Sequence, residues 1–397
     1  MYHQQRSVIL LLLTVFSILG AGDSFALAQS QKCVSASLAA LGVGATLTHV
    51  KVRAGFELSC KSGAFNGAPV RGDDNIVLNY ENTDVKVNVT DHLRQMFTNG
   101  ATVIRTILWY YHTEDVAEAR KVEKDNPLGM HAATRGKLDD HVIGNLLLYV
   151  NDAKNAGFRR FYIAVAPQGR SNPKCNRAGE WGGCYEKTFD ELSWSVTKQV
   201  VQALKSVESG IDVYVDIAIE DCWTPSSGQL VERNAEHFVR FMTTQYLNSF
   251  HDGKFFVSCG VAPGNIKRAL DGLGALLALD RELAVRPAVI DIHNYATDPA
   301  KAQQITVAAD EVARRLGVPL IIGEAYFDNA NLLGIISNLE AQNSLKSLRD
   351  VIIWPGRADS KCHPNLTVQP PIDMAAVNLG LGRIDQSGKK LPQCARP

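Results

Sequence analysis

The stretch Val318-Pro319-Leu320-Ile321-Ile322-Gly323-Glu324-Ala325-Tyr326 decides the reading of this chain: an apolar run ends in a glycine and passes at once into a carboxylate. A short run of this kind predicts a strand covered on both faces, because a strand with one wet face alternates polar and apolar residues and this one does not. Gly317 stands just before it, closing the amphipathic stretch Pro299 to Leu316, where a left-handed residue turns the end of a helix back toward the next strand. Helix, glycine, buried strand and polar strand end therefore form one unit, and the unit repeats in both directions.

Strand candidates, in order, are Lys51 to Leu58, Ala101 to Trp109, Phe158 to Ala166, Ile211 to Ile219, Lys254 to Cys259, Ala288 to His293, Val318 to Gly323 and Asp350 to Trp354. Between them, 3.6-residue periodicity predicts a helix capped by Thr90 and ending at Asn99-Gly100. It then predicts Leu138 to Asn155, Thr188 to Val207, Leu230 to Ser249, Asn265 to Leu279, Pro299 to Leu316 and Asn329 to Leu345. Strands alternating with helices make βαβ units and a parallel sheet. Eight of them predict a closed (β/α)₈ barrel, an α/β fold in a single domain over residues 51–360. Residues 29–50 are read as a segment capping the barrel, and 361–397 as a last helix and tail. No GxGxxG or GxxxxGK[ST] follows any strand, so no nucleotide cofactor is expected.

The start of the chain reads as a signal peptide over residues 1–28. Arg6 precedes the apolar run Val8 to Leu19, too short to span a bilayer, and Ala26-Leu27-Ala28 supplies small residues for cleavage. A secreted or periplasmic protein, with no membrane attachment after cleavage, is the expectation. All eight cysteines follow that site, which favours disulfides: Cys175 with Cys184 around a short Gly-rich loop, and Cys362 with Cys394 pinning the tail. No CxxC or HxxxH spacing signals a metal, and none is expected. Basic and acidic residues balance at 41 each without long blocks, which argues against nucleic acid as a partner and favours a neutral polymer or small molecule. Nothing in the sequence bears on oligomeric state.

In such a barrel the chemistry sits at the C-terminal ends of the strands. Strand two carries Arg105 and ends in Trp109; strand four ends Ile219-Glu220-Asp221-Cys222-Trp223. Strand six ends His293-Asn294-Tyr295, strand seven Gly323-Glu324 and strand eight Trp354. A carboxylate at the end of an apolar strand loses hydration; it serves either as a buried structural ion or as a reactive group. Gly323 leaves room beside Glu324, and the acidic cluster of strand four faces it across the mouth, which is the pair of carboxylates glycoside hydrolysis needs. His293 and Tyr295, two apart on an extended chain, point the same way and can orient them. Trp354, Trp109 and Trp223 are candidate platforms for a sugar face, while Asp212 and Asp216, inside strand four, read as structural partners.

This ordered set resembles the clan of retaining glycoside hydrolases on (β/α)₈ barrels that includes endoglucanases and β-mannanases, over roughly residues 50 to 360. The resemblance implies Glu324 as nucleophile, Arg105 supporting it, His293 and Tyr295 as the His-x-Tyr after strand six, Trp354 as the strand-eight tryptophan, and a carbohydrate substrate. The sequence departs from the clan at strand four, where Asn-Glu is the pattern and Ile219-Glu220 stands here. The acid/base role then falls on Glu220 with the asparagine missing, or on Asp221 with Glu220 in the asparagine's place. Two readings follow: a retaining β-glycosidase, or a catalytically weak or inactive barrel that binds carbohydrate.

Overall fold

The computed structural model describes residues 33–50, 75–115, 117, 130–177, 179–207, 209–261, 266–326, 330–354 and 374–394. Eight parallel strands form its centre: β1 (Gly42–Thr46), β2 (Val103–Thr113), β3 (Arg160–Pro167), β4 (Asp212–Asp216), β5 (Phe255–Phe256 continued by Ser258–Val261), β6 (Ile290–Asn294), β7 (Leu320–Tyr326) and β8 (Leu348–Trp354). Each pairs with its neighbour in sequence, and β1 pairs with both β8 and β2. The first half of β5 pairs with β4 and the second with β6, so this one strand, interrupted at Val257, completes the circle. The chain is a (β/α)₈ barrel.

Among the described residues seven helices of twelve or more residues alternate with the strands and a shorter one follows them: α1 (Thr83–Thr98), α2 (Asp140–Ala156), α3 (Asp190–Leu204), α4 (Leu230–Ser249), α5 (Ile266–Glu282), α6 (Pro299–Leu316), α7 (Ala330–Ala341) and α8 (Met374–Gly380). Gly157 and Gly317, both left-handed, close α2 and α6 in the manner expected of them. The first helix corrects the expectation at Thr90. Asn82 caps it, and Thr90 lies inside, its hydroxyl donating back to the Lys86 carbonyl at 2.9 Å.

The first strand is a second correction. Lys51 to Leu58 falls outside the described residues, and the strand that enters the barrel is Gly42-Val43-Gly44-Ala45-Thr46, within the segment expected to cap it. Two glycines disguise this strand, and the packing explains them: a Cβ on Gly44 would lie 1.8 Å from the Val103 carbonyl oxygen, and one on Gly42 would lie 1.9 Å from Asp350 Oδ1. The tail pairing is a third. Cys394 is bonded to Cys33, not to Cys362, so the disulfide joins the first and last of the described residues; Val34 bridges Gln393 beside it. Cys175–Cys184 forms as expected, and Cys222–Cys259 ties the segment after β4 to β5. The expected signal peptide lies outside the described residues. No described helix is long and apolar enough to cross a membrane.

The barrel interior is layered. Val103, Tyr162, Phe256, Val289, Ile321 and Ile352 fill the lower end, as alternate inward residues of a barrel do. An apolar layer at the top contains Ile107, Trp109, Ala164, Ala166 and Trp354. Between the two lies a polar layer centred on Arg105, and that layer positions the site.

Candidate active site

Arg105 is fully buried on β2. Its Nη1 donates to Asp291 Oδ2 at 2.7 Å, its Nη2 to Asp216 Oδ2 at 3.2 Å, and its Nε lies 3.8 Å from Glu324 Oε1. One guanidinium thus holds the carboxylates of β4, β6 and β7 on a common centre. Gly323 is what admits it: a Cβ there would sit 2.2 Å from both Arg105 Nη1 and Asp291 Oδ1, and its N–H donates to Asp291 at 2.8 Å. The register of β7 slips against both neighbours at this point, between Ile292 and His293 on one side and between Ile322 and Ala325 on the other. Such a bulge re-aims the residue that follows, here Glu324.

Glu324 is 4% exposed. Its Oε2 accepts the Tyr295 hydroxyl and lies 3.6 Å from His293 Nδ1, while its Oε1 has no hydrogen-bond donor. Glu220 reaches the same place from β4. Its Oε1 is 2.7 Å from His293 Nδ1, and Gly260 on β5 makes room for it, since a Cβ there would meet the carboxylate carbon at 2.6 Å. Glu220, His293 and Glu324 each offer an atom within 4.8 Å of the others. The two carboxylates expected to face one another therefore do converge, at one rim, around one imidazole.

Charge is divided unevenly among the three. Burial raises the Glu324 carboxyl above its ordinary range, although His293 and Arg105 oppose the rise. Burial works the same way on Glu220, but there the hydrogen bond and charge of His293, with Lys174 behind them, win and hold it at about 2. Burial disfavours a cation at His293, yet the charge of Glu324 and its contact with Asp291 push it up to about 10. The free site thus holds an ionised Glu220 against a protonated imidazole.

Of the other sequence candidates, Tyr295 is in the site as Glu324's donor, and Trp109 and Trp354 share the apolar layer beneath the mouth with Ile219 and Met130. Trp223 is not there. It is 2% exposed and packs in the main hydrophobic core with its neighbour Cys222, which is bonded to Cys259 on β5. Asp221 also stands apart from the trio. It is buried, 3.7 Å from Lys174 Nζ, and burial raises it to about 7. Asp216 is the structural partner expected of it, whereas Asp212 lies at the start of β4 with its side chain exposed.

Three residues went unassigned in the sequence. Asp291 precedes His293 by two positions, and that spacing, which puts both on the inner face, was the available signal. Ser258 accepts the Glu220 N–H at 2.8 Å, and Lys174 donates to the Glu220 carbonyl; neither lies in a recognisable pattern. The trio Glu220, His293 and Glu324 also has the spacing to hold a metal ion. The Arg105 guanidinium, 3.8 Å from Glu324, opposes a further cation there.

No family model matches the chain, and no curated protein matches it in sequence. Among solved structures it is similar to a broad-specificity endoglucanase from Clostridium longisporum, with 13% identity, 88% of this chain and 99% of that one covered, and a TM-score of 0.50. It is also similar to an endoglucanase from Ruminococcus champanellensis (11% identity, 87% and 98% covered, TM-score 0.48) and to an endo-1,4-β-mannanase from Eisenia fetida (12%, 88% and 94%, 0.46). At such identity the likeness is one of fold: the chain shares its barrel with the Clostridium longisporum enzyme.

Proposed function

We propose that this protein is a glycoside hydrolase that cleaves a β-glycosidic bond of a neutral polysaccharide or oligosaccharide with retention of configuration. The observation that carries the proposal is the convergence of Glu220 and Glu324 to within 4.8 Å on one rim. A retaining pair stands about 5 to 5.5 Å apart, and an inverting pair is wider to admit water between them.

In this reading Glu324 Oε1, the oxygen without a donor, attacks the anomeric carbon as the bond to the leaving oxygen breaks. The leaving oxygen takes a proton from Glu220, and the sugar remains as an ester on Glu324. Glu220 then removes a proton from water, whose oxygen displaces Glu324 and regenerates both groups. In the free site the required proton rests on His293, 2.7 Å from Glu220; transfer along that contact arms the acid once a saccharide excludes water. Arg105 and Tyr295 hold Glu324, and the rings of Trp109 and Trp354 suit the apolar face of a sugar. The three disulfides support a secreted or periplasmic location.

A second reading, carbohydrate binding without turnover, draws on Ile219, which puts an apolar side chain into the mouth layer beside the acid. A mechanism-based fluoro-glycoside separates the two: covalent labelling of Glu324, absent in Glu324→Gln, supports hydrolysis, while glycan affinity without labelling or turnover supports the binder. Full hydrolysis by Glu324→Gln refutes the nucleophile role, and activity lost to a chelator refutes the metal-free mechanism.

A further inference from the structure

The most constrained backbone in the site belongs to Glu220. Its φ is +56°, a left-handed conformation that L residues other than asparagine and aspartate seldom adopt. Such a conformation persists only when surrounding contacts over-determine it, and three contacts do so. The Glu220 N–H donates to Ser258 Oγ at 2.8 Å, Cys222 two residues on is bonded to Cys259, and Lys174 Nζ donates to the Glu220 carbonyl. The first two come from β5. The third comes from the loop between β3 and α3.

That loop is built to deliver a fixed side chain. Cys175, next to Lys174, is bonded to Cys184; the Gly182 N–H donates to the Cys175 carbonyl at 2.7 Å; and Asn234 on α4 donates to the Gly182 carbonyl at 3.1 Å. The Lys174 N–H is itself held by Asn172 Oδ1 at 2.8 Å. The ammonium group ends 3.7 Å from Asp221 Oδ1, so one cation touches both residues that close β4.

We infer that Lys174 is a positioning residue of the active site: it locks the end of β4 in the left-handed turn that presents Glu220 to His293 and Glu324, and turns Asp221 away. The inference rests on Glu220 being the acid/base. Around the Glu220 carboxylate stand Lys174 from the loop, His293 on β6, Glu324 on β7, Arg105 on β2 and Tyr295 after β6, with Asp221 beside it in the turn that follows β4. Lys174 is the cation in that set whose loop lies outside the sheet, so it can be altered without dismantling the Arg105 centre.

The experiment compares the wild type with Lys174→Met, Lys174→Gln and Lys174→Arg. It measures kcat and KM on a glycan that the wild type cleaves, thermal unfolding, and the pH titration of the His293 ring by nitrogen NMR, which needs no activity. Lys174→Met is expected to lower kcat about tenfold or more with KM within about twofold, and to move titration of the His293–Glu220 pair to higher pH. Lys174→Arg restores both. If the Met variant does not fold, Lys174→Gln, which keeps a donor and loses the charge, is expected to show the same titration shift. An unchanged titration with kcat within about twofold of wild type overturns the inference, as does a loss of kcat that Arg fails to restore while the titration stays put. If the wild type cleaves no glycan, the hydrolase proposal fails separately, and the titration alone decides for or against Lys174.

Discussion

Replacing Arg105 by methionine tests whether one guanidinium organises the whole polar layer. Methionine fills similar space without charge, so the substitution isolates the electrostatics from the packing. It leaves Asp216 and Asp291, both fully buried, without their shared cation, and strips Glu324 of one of the two cations beside it. Removing one partner of a buried ion pair costs about 3–5 kcal/mol, against a total for a domain of about 5–15 kcal/mol; the variant should fold with a narrow margin. The pH dependence gives a second test. In the parent, burial already raises Asp216 from 3.8 to about 6 even with Arg105 opposing it. A group raised in the folded state contributes stability that is fully present below its unfolded pKa and is lost as pH rises through the folded one. Without Arg105, Asp216 rises further and Asp291, now held low against its burial by that cation, rises with it. The deficit of Arg105→Met should therefore widen from pH 5 to pH 8, by about 1.4 kcal/mol for each unit of additional upward shift. Urea unfolding of both proteins at the two pH values measures it. A loss under about 1 kcal/mol, or one equal at both pH values, would refute the claim that these carboxylates depend on Arg105.

Three further outcomes follow. Glu220→Gln should slow cleavage of glycosides with poor leaving groups by about 10²–10⁴-fold and spare activated aryl glycosides in the first step, as read by paired kinetics on the two substrate types; equal losses on both would remove Glu220 from the acid role. Trp181, 62% exposed on the loop that carries Lys174, should act as an outer stacking platform. Trp181→Ala then weakens binding of a long glycan to the Glu324→Gln protein, measured by calorimetry, and leaves a single-sugar aryl glycoside unaffected. Replacing Cys33 and Cys394 by serine should lower stability by about 3–5 kcal/mol in denaturant titration, because the bond closes a loop of 361 residues in the unfolded chain. A negligible change would show that the unfolded chain already keeps its ends together.

The barrel could be read from the sequence wherever burial on both faces left its mark. Strands β2, β3, β6, β7 and β8 are buried over most of their length, β3 and β7 with hardly a charged residue before their ends, and helices such as Leu230–Ser249 and Pro299–Leu316 carry a full periodic face. β1 had no such mark, because two of its five residues were surrendered to glycine so that Val103 and Asp350 could approach. The site divides in the same way. Glu324, His293, Tyr295 and Arg105 were visible because each is a polar residue in a place where strand periodicity demands an inward side chain, and Asp291 satisfies that same test. Glu220 against Asp221 could not be decided from order along the chain, since adjacent residues on an extended strand point to opposite faces and the strand stops before them, at Asp216. What separates the two is a left-handed turn at Glu220, and its determinants lie elsewhere: Ser258 on β5, a disulfide to Cys259, and Lys174 from a loop 46 residues earlier. Local pattern thus carries the scaffold and Glu324, whereas the direction of Glu220 is set by contacts that exist only after the barrel has closed. Any sequence change at Lys174 or Ser258 would accordingly leave the motifs intact and still move the carboxylate that the proposed chemistry depends on.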